Sequence, residues 1–156
     1  MTVAARVRRY LESEGIGFDI VAHPRTMSSG NSAEAAHVPG DRLAKAVVVH
    51  HELGYLLAVV PSTHRVELGT LQAIIDRRLG LATEREVATL FDDCDLGAIP
   101  PVGAAYDLPV CLDTSLDEMP EVYFEGGDHT TLVRVTGDAF RTLMKDAQRA
   151  SFSHRA

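Results

Sequence analysis

Tryptophan is absent from this 156-residue chain, aromatic residues make up only 6% of it, and cysteine and lysine occur twice each. Two cysteines without CxxC spacing give no disulfide framework and no cysteine zinc site. Cys111, within Pro109-Val110-Cys111-Leu112, reads as core. Cys94 lies among Asp92, Asp93 and Asp95, whose charges oppose thiolate formation and make it a poor nucleophile. No apolar run is long enough to span a bilayer, and the start, Met1 to Arg9, has helical amphipathic spacing with no signal-peptide core. A cytoplasmic protein with no membrane partner is expected. The seven histidines form no HxH, HExxH or paired Cys/His spacing, and His50 and His51, adjacent on an expected strand, point to opposite faces. The run Asp92-Asp93-Cys94-Asp95 reads as a solvated acidic turn. No metal and no cofactor is expected.

Charge is plentiful but unevenly placed. Of 22 acids and 15 Lys or Arg, residues 84–128 hold twelve acids and one base, and the whole chain carries a formal −7. Such a protein lacks the broad basic surface that non-specific nucleic-acid binding requires, so DNA is not an expected partner and any nucleic-acid contact must be local. Arg6, Arg8, Arg9, Arg25, Arg42 and Arg65 are candidates for a basic patch near Lys45, or are simply scattered over a solvated surface.

The pattern predicts one α+β domain, a mixed and mostly antiparallel sheet flanked by helices, over residues 1–150, with 151–156 a loose tail. Val3, Val7, Tyr10 and Leu11 recur at helical spacing before Gly15 and Gly17. Phe18, Ile20 and Ala22 mark a strand that stops at His23-Pro24, and Asn31 or Ser32 is placed to cap a short helix. Residues 45–50 and 55–60, rich in β-branched side chains, predict a central hairpin. A helix is expected over 68–79, and Thr83 with Glu86 has capping-box spacing for the next. Three short strands over 109–112, 122–125 and 131–135 follow, then a final helix over roughly 138–149.

Two features carry chemistry. Lys45 heads the apolar run Leu43-Ala44-Lys45-Ala46-Val47-Val48-Val49, where an unpaired ammonium is costly, so it either reaches solvent or binds an anion. The segment Gly97-Ala98-Ile99-Pro100-Pro101-Val102-Gly103 is stiffened by prolines and poor in side chains, so its amides are candidates for a preorganised electrostatic site. No GxSxG elbow exists, and Pro61-Ser62-Thr63-His64 only places hydroxyls near an imidazole. Gly126-Gly127-Asp128-His129 joins two strands without opening a helix, unlike a phosphate-binding loop; Glu125 and His129 flank it as candidate orienting groups.

Taken in order, residues 33–40 (AEAAHVPG), 43–49 (LAKAVVV), 97–103 (GAIPPVG) and 122–129 (VYFEGGDH) resemble the YbaK/prolyl-tRNA synthetase-associated editing-domain family over nearly the whole chain. The resemblance implies a freestanding, metal-independent aminoacyl-tRNA deacylase that cleaves the ester at the tRNA 3′ end. It further implies a catalytic set of Lys45, Glu125 and His129. Its substrate-binding set is Gly97, Ala98, Ile99, Pro100, Pro101 and Gly103 of the loop, with Gly126 and Gly127. The implied partner is the acceptor end of aminoacyl-tRNA, delivered by a synthetase or an elongation factor. Glu125 stands where some branches carry serine or histidine, which leaves the amino acid removed open. The competing reading is a non-catalytic module of the same fold that binds aminoacyl-tRNA or an aminoacyl ligand, and a metal-dependent esterase is a third.

Overall fold

The computed structural model describes residues 3–156, so part of the predicted amphipathic start, Met1 and Thr2, lies outside the described residues. The elements are α1 (Ala5–Ser13), β1 (Asp19–Ala22), α2 (Ser29–Ala35), β2 (Leu43–His51), β3 (Gly54–Pro61), β4 (His64–Val66), α3 (Leu68–Ile75), β5 (Gly80–Leu81), α4 (Glu84–Leu90), β6 (Val110–Asp113), β7 (Glu121–Glu125), β8 (Thr131–Thr136), α5 (Gly137–Leu143), β9 (Gln148–Ala150) and β10 (Ser153–Arg155). Three short 3-10 turns lie between them, at Gly40–Arg42, Gly103–Tyr106 and Thr114–Leu116.

The predicted hairpin forms the middle of the sheet. β2 and β3 pair antiparallel from Ala44↔Pro61 to His51↔Gly54, and the sheet runs β1-β8-β7-β2-β3-β6-β9. The sheet is mixed: β1/β8, β7/β8, β2/β3 and β2/β5 are antiparallel, whereas β2/β7, β3/β6 and β6/β9 are parallel. Strand alternation sorts the hairpin's side chains onto two faces. Ala44, Ala46, Val48, Leu57 and Val59 join the largest core cluster, with Val7 and Leu11 of α1 and Phe91, Phe124 and Phe140. The opposite face carries Val47, Val49, Leu56, Ala58 and Val60 in a second cluster and Leu43 in a third. Lys45 falls on that second face, between Leu43 and Val47.

Four local expectations change. The terminal residues are not a loose tail: Ser153–Arg155 pairs with β4, Phe152 is 1% exposed, and its N–H donates to Asp113 Oδ1 at 2.9 Å. The last helix stops at Leu143, where Arg149 Nη1 donates to the carbonyls of Met144 and Ala147, and residues 148–150 become a parallel strand beside β6. The α3 helix ends at Ile75, because Asp76 turns into the left-handed region at φ +59° and the Gln72 side chain takes the Leu79 N–H. By contrast Thr83 and Glu86 do form the capping box of α4, a feature worth about 1 kcal/mol. Ser28, not Asn31 or Ser32, caps α2.

Candidate functional site

The site begins with an interruption in the sheet. A strand has two edges, and β3 occupies one edge of β2 along its whole length. On the other edge β7 pairs only at Leu43 and Ala44, and β5 only at Val49 and His50. Ser62 N–H donates to the Leu43 carbonyl, which fixes the register: Leu43, Lys45, Val47 and Val49 turn their main-chain groups toward β3, and Ala44, Ala46, Val48 and His50 turn theirs away. Ala82 N–H takes the Val48 carbonyl at 3.0 Å. Between the two short ladders the Ala46 N–H and C=O therefore face a gap that neither β7 nor β5 fills.

Two adjoining cavities open on this gap. One, of about 300 Å³, is walled by Ala46, Val47, Val48, Leu81, Ala82, Val87, Leu96 and Ile99, with Ser29, Gly97 and Glu84 as the other contributors. The second, of about 410 Å³, has a mixed lining and holds Lys45 with Met27, Ser28, Ser29, Gly30, Ala46, Ser62 and Gly97. Ser29, Ala46 and Gly97 belong to both and mark their junction. Three large apolar side chains that remain exposed, Met27, Leu81 and Leu96, stand on these walls, an arrangement expected of a binding surface.

The two sequence features thus meet, since Lys45 and Gly97 line one cavity. Lys45 is half-buried and makes no ion pair or hydrogen bond among the described residues. Its amine pKa is held below the ordinary value, first by loss of solvent and then by repulsion from Arg65. A half-desolvated cation without a carboxylate is set to receive an anion or a polarised oxygen. Of the other candidate arginines, Arg42 is committed to Glu121 at 3.4 Å and Arg6 to Asp92 at 3.4 Å, so the patch near Lys45 is narrower than the sequence suggested.

The rest of the predicted set is redistributed. Gly97 is exposed and Ile99 half-buried on the cavity walls, but Ala98, Pro100, Pro101 and Gly103 are buried. A Cβ on Gly103 would lie 2.5 Å from the Leu108 carbonyl oxygen, so that glycine closes the loop's far end against the chain. Gly126 and Gly127 are buried too, and line neither cavity: the Gly126 carbonyl accepts from Ala4 N–H at 2.7 Å and the Gly127 carbonyl from Asp95 N–H at 2.7 Å. These glycines serve packing between α1, β7 and the acidic turn.

Glu125 and His129 stand behind the wall, not on it. Glu125 is 1% exposed; its Oε2 accepts from Ser32 Oγ at 3.1 Å and Ser29 Oγ at 3.3 Å, and its Oε1 has no partner among the described residues. Burial pushes its carboxyl up to about 7, against the opposing pull of the two serine hydrogen bonds. Ser32 Oγ also meets Thr26 Oγ1 at 2.6 Å, completing a chain of hydroxyls that reaches the cavity junction at Ser29. His129 is 3% exposed with Nδ1 unpartnered among the described residues, and its Cε1 would lie 3.2 Å from a Cβ placed on Gly97. The imidazole is the backstop of the loop. Sequence reasoning missed Ser29, Ser32 and Thr26, because a polar stretch between a proline and a short helix looks like any loop.

Other candidates are occupied elsewhere. Ser62 Oγ donates to the Gly40 carbonyl at 2.8 Å, Thr63 Oγ1 donates to Asp41, and His64 Nδ1 meets Ser153 Oγ at 2.9 Å, so neither Ser62 nor Thr63 is paired with the His64 imidazole. The Cys94 thiol is pushed up to about 12, by burial first, with Asp93 and Asp95 adding to it. Among the described residues no three side chains of His, Cys, Asp or Glu converge as a metal-binding group, and no helix is long and apolar enough to cross a membrane.

A model of the aminoacyl-tRNA editing domain matches residues 23–143 of the chain. Among solved structures, a proposed trans-editing enzyme for prolyl-tRNA synthetase is 32% identical with a TM-score of 0.84, over 97% of this chain and 96% of that one. A scaffold protein from computational epitope backbone grafting is also 32% identical, with a TM-score of 0.85 over 97% of each chain. A hypothetical protein at 20% identity and a TM-score of 0.84, over 96% of this chain and 99% of that one, shares the fold. No curated protein matches the sequence at a significant level.

Proposed function

We propose that this chain, which belongs to the aminoacyl-tRNA editing domain family, is a hydrolase that acts in trans and cleaves the ester between a wrongly attached amino acid and the 3′ end of tRNA. The observation that carries the reading is the convergence of the unpaired Lys45 amine and the exposed Gly97 turn on one cavity that opens directly onto an apolar one. An aminoacyl ester has the same two-ended character. Its ribose and phosphate suit the compartment of Lys45, and an apolar amino-acid side chain suits the wall of Val47, Val48, Val87 and Ile99.

The chemistry is positional and electrostatic. Lys45 fixes a terminal phosphate or ribose oxygen, and main-chain amides at the junction steady the negative charge that develops on the ester carbonyl oxygen. Water, or a substrate hydroxyl that water later displaces, adds to the carbonyl carbon. The bond to the ribose oxygen then breaks, releasing the amino acid and an uncharged tRNA. Glu125 and His129 position the wall: Glu125 holds Ser29 and Ser32, and His129 supports Gly97. Such editing is needed where a synthetase pocket discriminates too weakly between small side chains. Lys45 and Arg65 supply a local cationic patch for the acceptor end on an otherwise acidic protein, and a synthetase or elongation factor delivers the substrate.

The test is deacylation of a complete panel of mischarged tRNAs by wild-type protein and Lys45→Ala, without added metal. Wild type is expected to turn over at least one member, and the variant to lose about 10²–10³ in kcat, the scale of removing one preorganised electrostatic group. Normal turnover by Lys45→Ala rejects the assignment of the lysine. Saturable binding with no cleavage across the panel rejects the enzyme and leaves a binding module.

A further inference from the structure

Resting on the deacylase reading above, we infer that the site accepts only aminoacyl esters whose α-amino group is free, and that the Ala46 main-chain carbonyl is the group that reads it. The sheet gap puts that carbonyl and its own N–H at the junction of the two cavities, where neither β7 nor β5 supplies a partner. A main-chain carbonyl left facing a cavity calls for a donor.

The order of the compartments says which atoms of the ligand come there. With the ribose beside Lys45 and the side chain against Val47, Val48 and Ile99, the atoms between them, the ester carbon, the α-carbon and the α-nitrogen, fall at Ser29, Ala46 and Gly97. The Ser29 hydroxyl is already donating to Glu125. The α-ammonium brings positive charge, so its hydrogen bond to a carbonyl is stronger than one between neutral groups. Among the described residues no carboxylate lines the Lys45 compartment, and Glu84 stands among the residues of the apolar one. Recognition of the amine by main chain does without a carboxylate beside Lys45, which would pair with the lysine amine. An N-acylated ester, such as a peptidyl-tRNA, would present a neutral amide with added bulk at the same carbonyl, and so a weaker donor than the ammonium.

Wild-type protein and altered substrates test this without any variant. The aminoacyl-tRNA that reacts fastest in the panel is compared with its α-hydroxyacyl counterpart, made by nitrous acid deamination, and with its N-acetyl derivative. Each enzymatic kcat/KM is divided by the spontaneous hydrolysis rate of the same ester, because an α-ammonium activates the ester by itself. The hydroxyacyl ester, which adds no bulk, is expected to fall by about tenfold and the N-acetyl ester by about 100-fold or more. A normalised loss of less than about fivefold for the hydroxyacyl ester overturns the inference, and so does cleavage of the N-acetyl ester at a comparable rate. Silence across the free-amine panel is a different result, which removes the deacylase reading itself.

Discussion

Gly97→Ala is the sharpest single perturbation of the proposed site. Gly97 has φ +84°, and a Cβ there would meet His129 Cε1 at 3.2 Å and the Met27 carbonyl oxygen at 3.3 Å. The backbone strain of a non-glycine residue in this region is about 1–3 kcal/mol. Both contacts are tighter than ordinary van der Waals approach, and the Met27 oxygen belongs to the chain and cannot rotate away. Taking about 2 kcal/mol in all, and about 2–4 °C per kcal/mol for a chain of this size, the melting temperature should fall by roughly 4–8 °C. The loop would also move by a few tenths of an ångström. Since a misplacement of about 1 Å costs near 10² in rate, a loss of about tenfold in kcat/KM is expected. Thermal unfolding and single-turnover deacylation measure the two effects. A double-mutant cycle with His129→Ala separates the causes: removing the ring should relieve part of the penalty, with a coupling of at least about 0.5 kcal/mol, while the φ strain persists. A variant with unchanged melting temperature and unchanged rate would refute both the contact geometry and the role given to this turn.

Glu125→Gln should flatten the pH dependence of stability. The folded carboxyl is raised from 4.5 to about 7, so the protein binds a proton more tightly folded than unfolded. Its contribution to stability is complete below 4.5, falls as pH rises through that window, and is gone above about 7. The gap corresponds to roughly 3 kcal/mol at most. Denaturant midpoints at pH 5 and pH 8 for both proteins provide the check, and equal slopes with pH would sink the idea. Phe152→Ala should cost about 3–5 kcal/mol, the price of emptying a fully buried aromatic site. Chemical denaturation reads this directly, and a cost below about 1 kcal/mol would mean the terminal segment is as loose as its polar sequence suggests.

The features that could be read from residues alone were those encoded locally. Val47, Val48 and Val49 on one arm and Leu56, Leu57, Val59 and Val60 on the other announce the hairpin, because two short runs rich in branched side chains flank a turn. Thr83 and Glu86 announce α4 by a spacing that only a helix start uses. What stayed hidden was set by partners distant in sequence. Leu43 pairs with Tyr123 and Leu57 with Val110 in parallel, and nothing in either segment names the other. Ser151 to Ala156 looks polar and unanchored, yet Phe152 fills the cluster beneath Leu71 and Cys111. The site divides in the same way. Lys45 and Gly97 were legible as odd residues in their surroundings, and they do share a cavity. Glu125 and His129 were legible as polar groups beside a turn, but a sequence does not say which side of a wall a side chain occupies. The Ala46 edge was invisible, since an alanine carries no sign of which neighbour its main chain lacks.

An unpaired stretch of strand is ordinarily a hazard, because it offers a template on which a second chain can aggregate. The interval on β2 escapes this through its length. Closed at one end by Ala44↔Phe124 and at the other by the Ala82 N–H on the Val48 carbonyl, it is too short to receive another strand, which typically needs about five residues. The Gly97 turn and α2 flank it as well. The fold therefore keeps main-chain hydrogen-bonding capacity open to small molecules while denying it to other polypeptides.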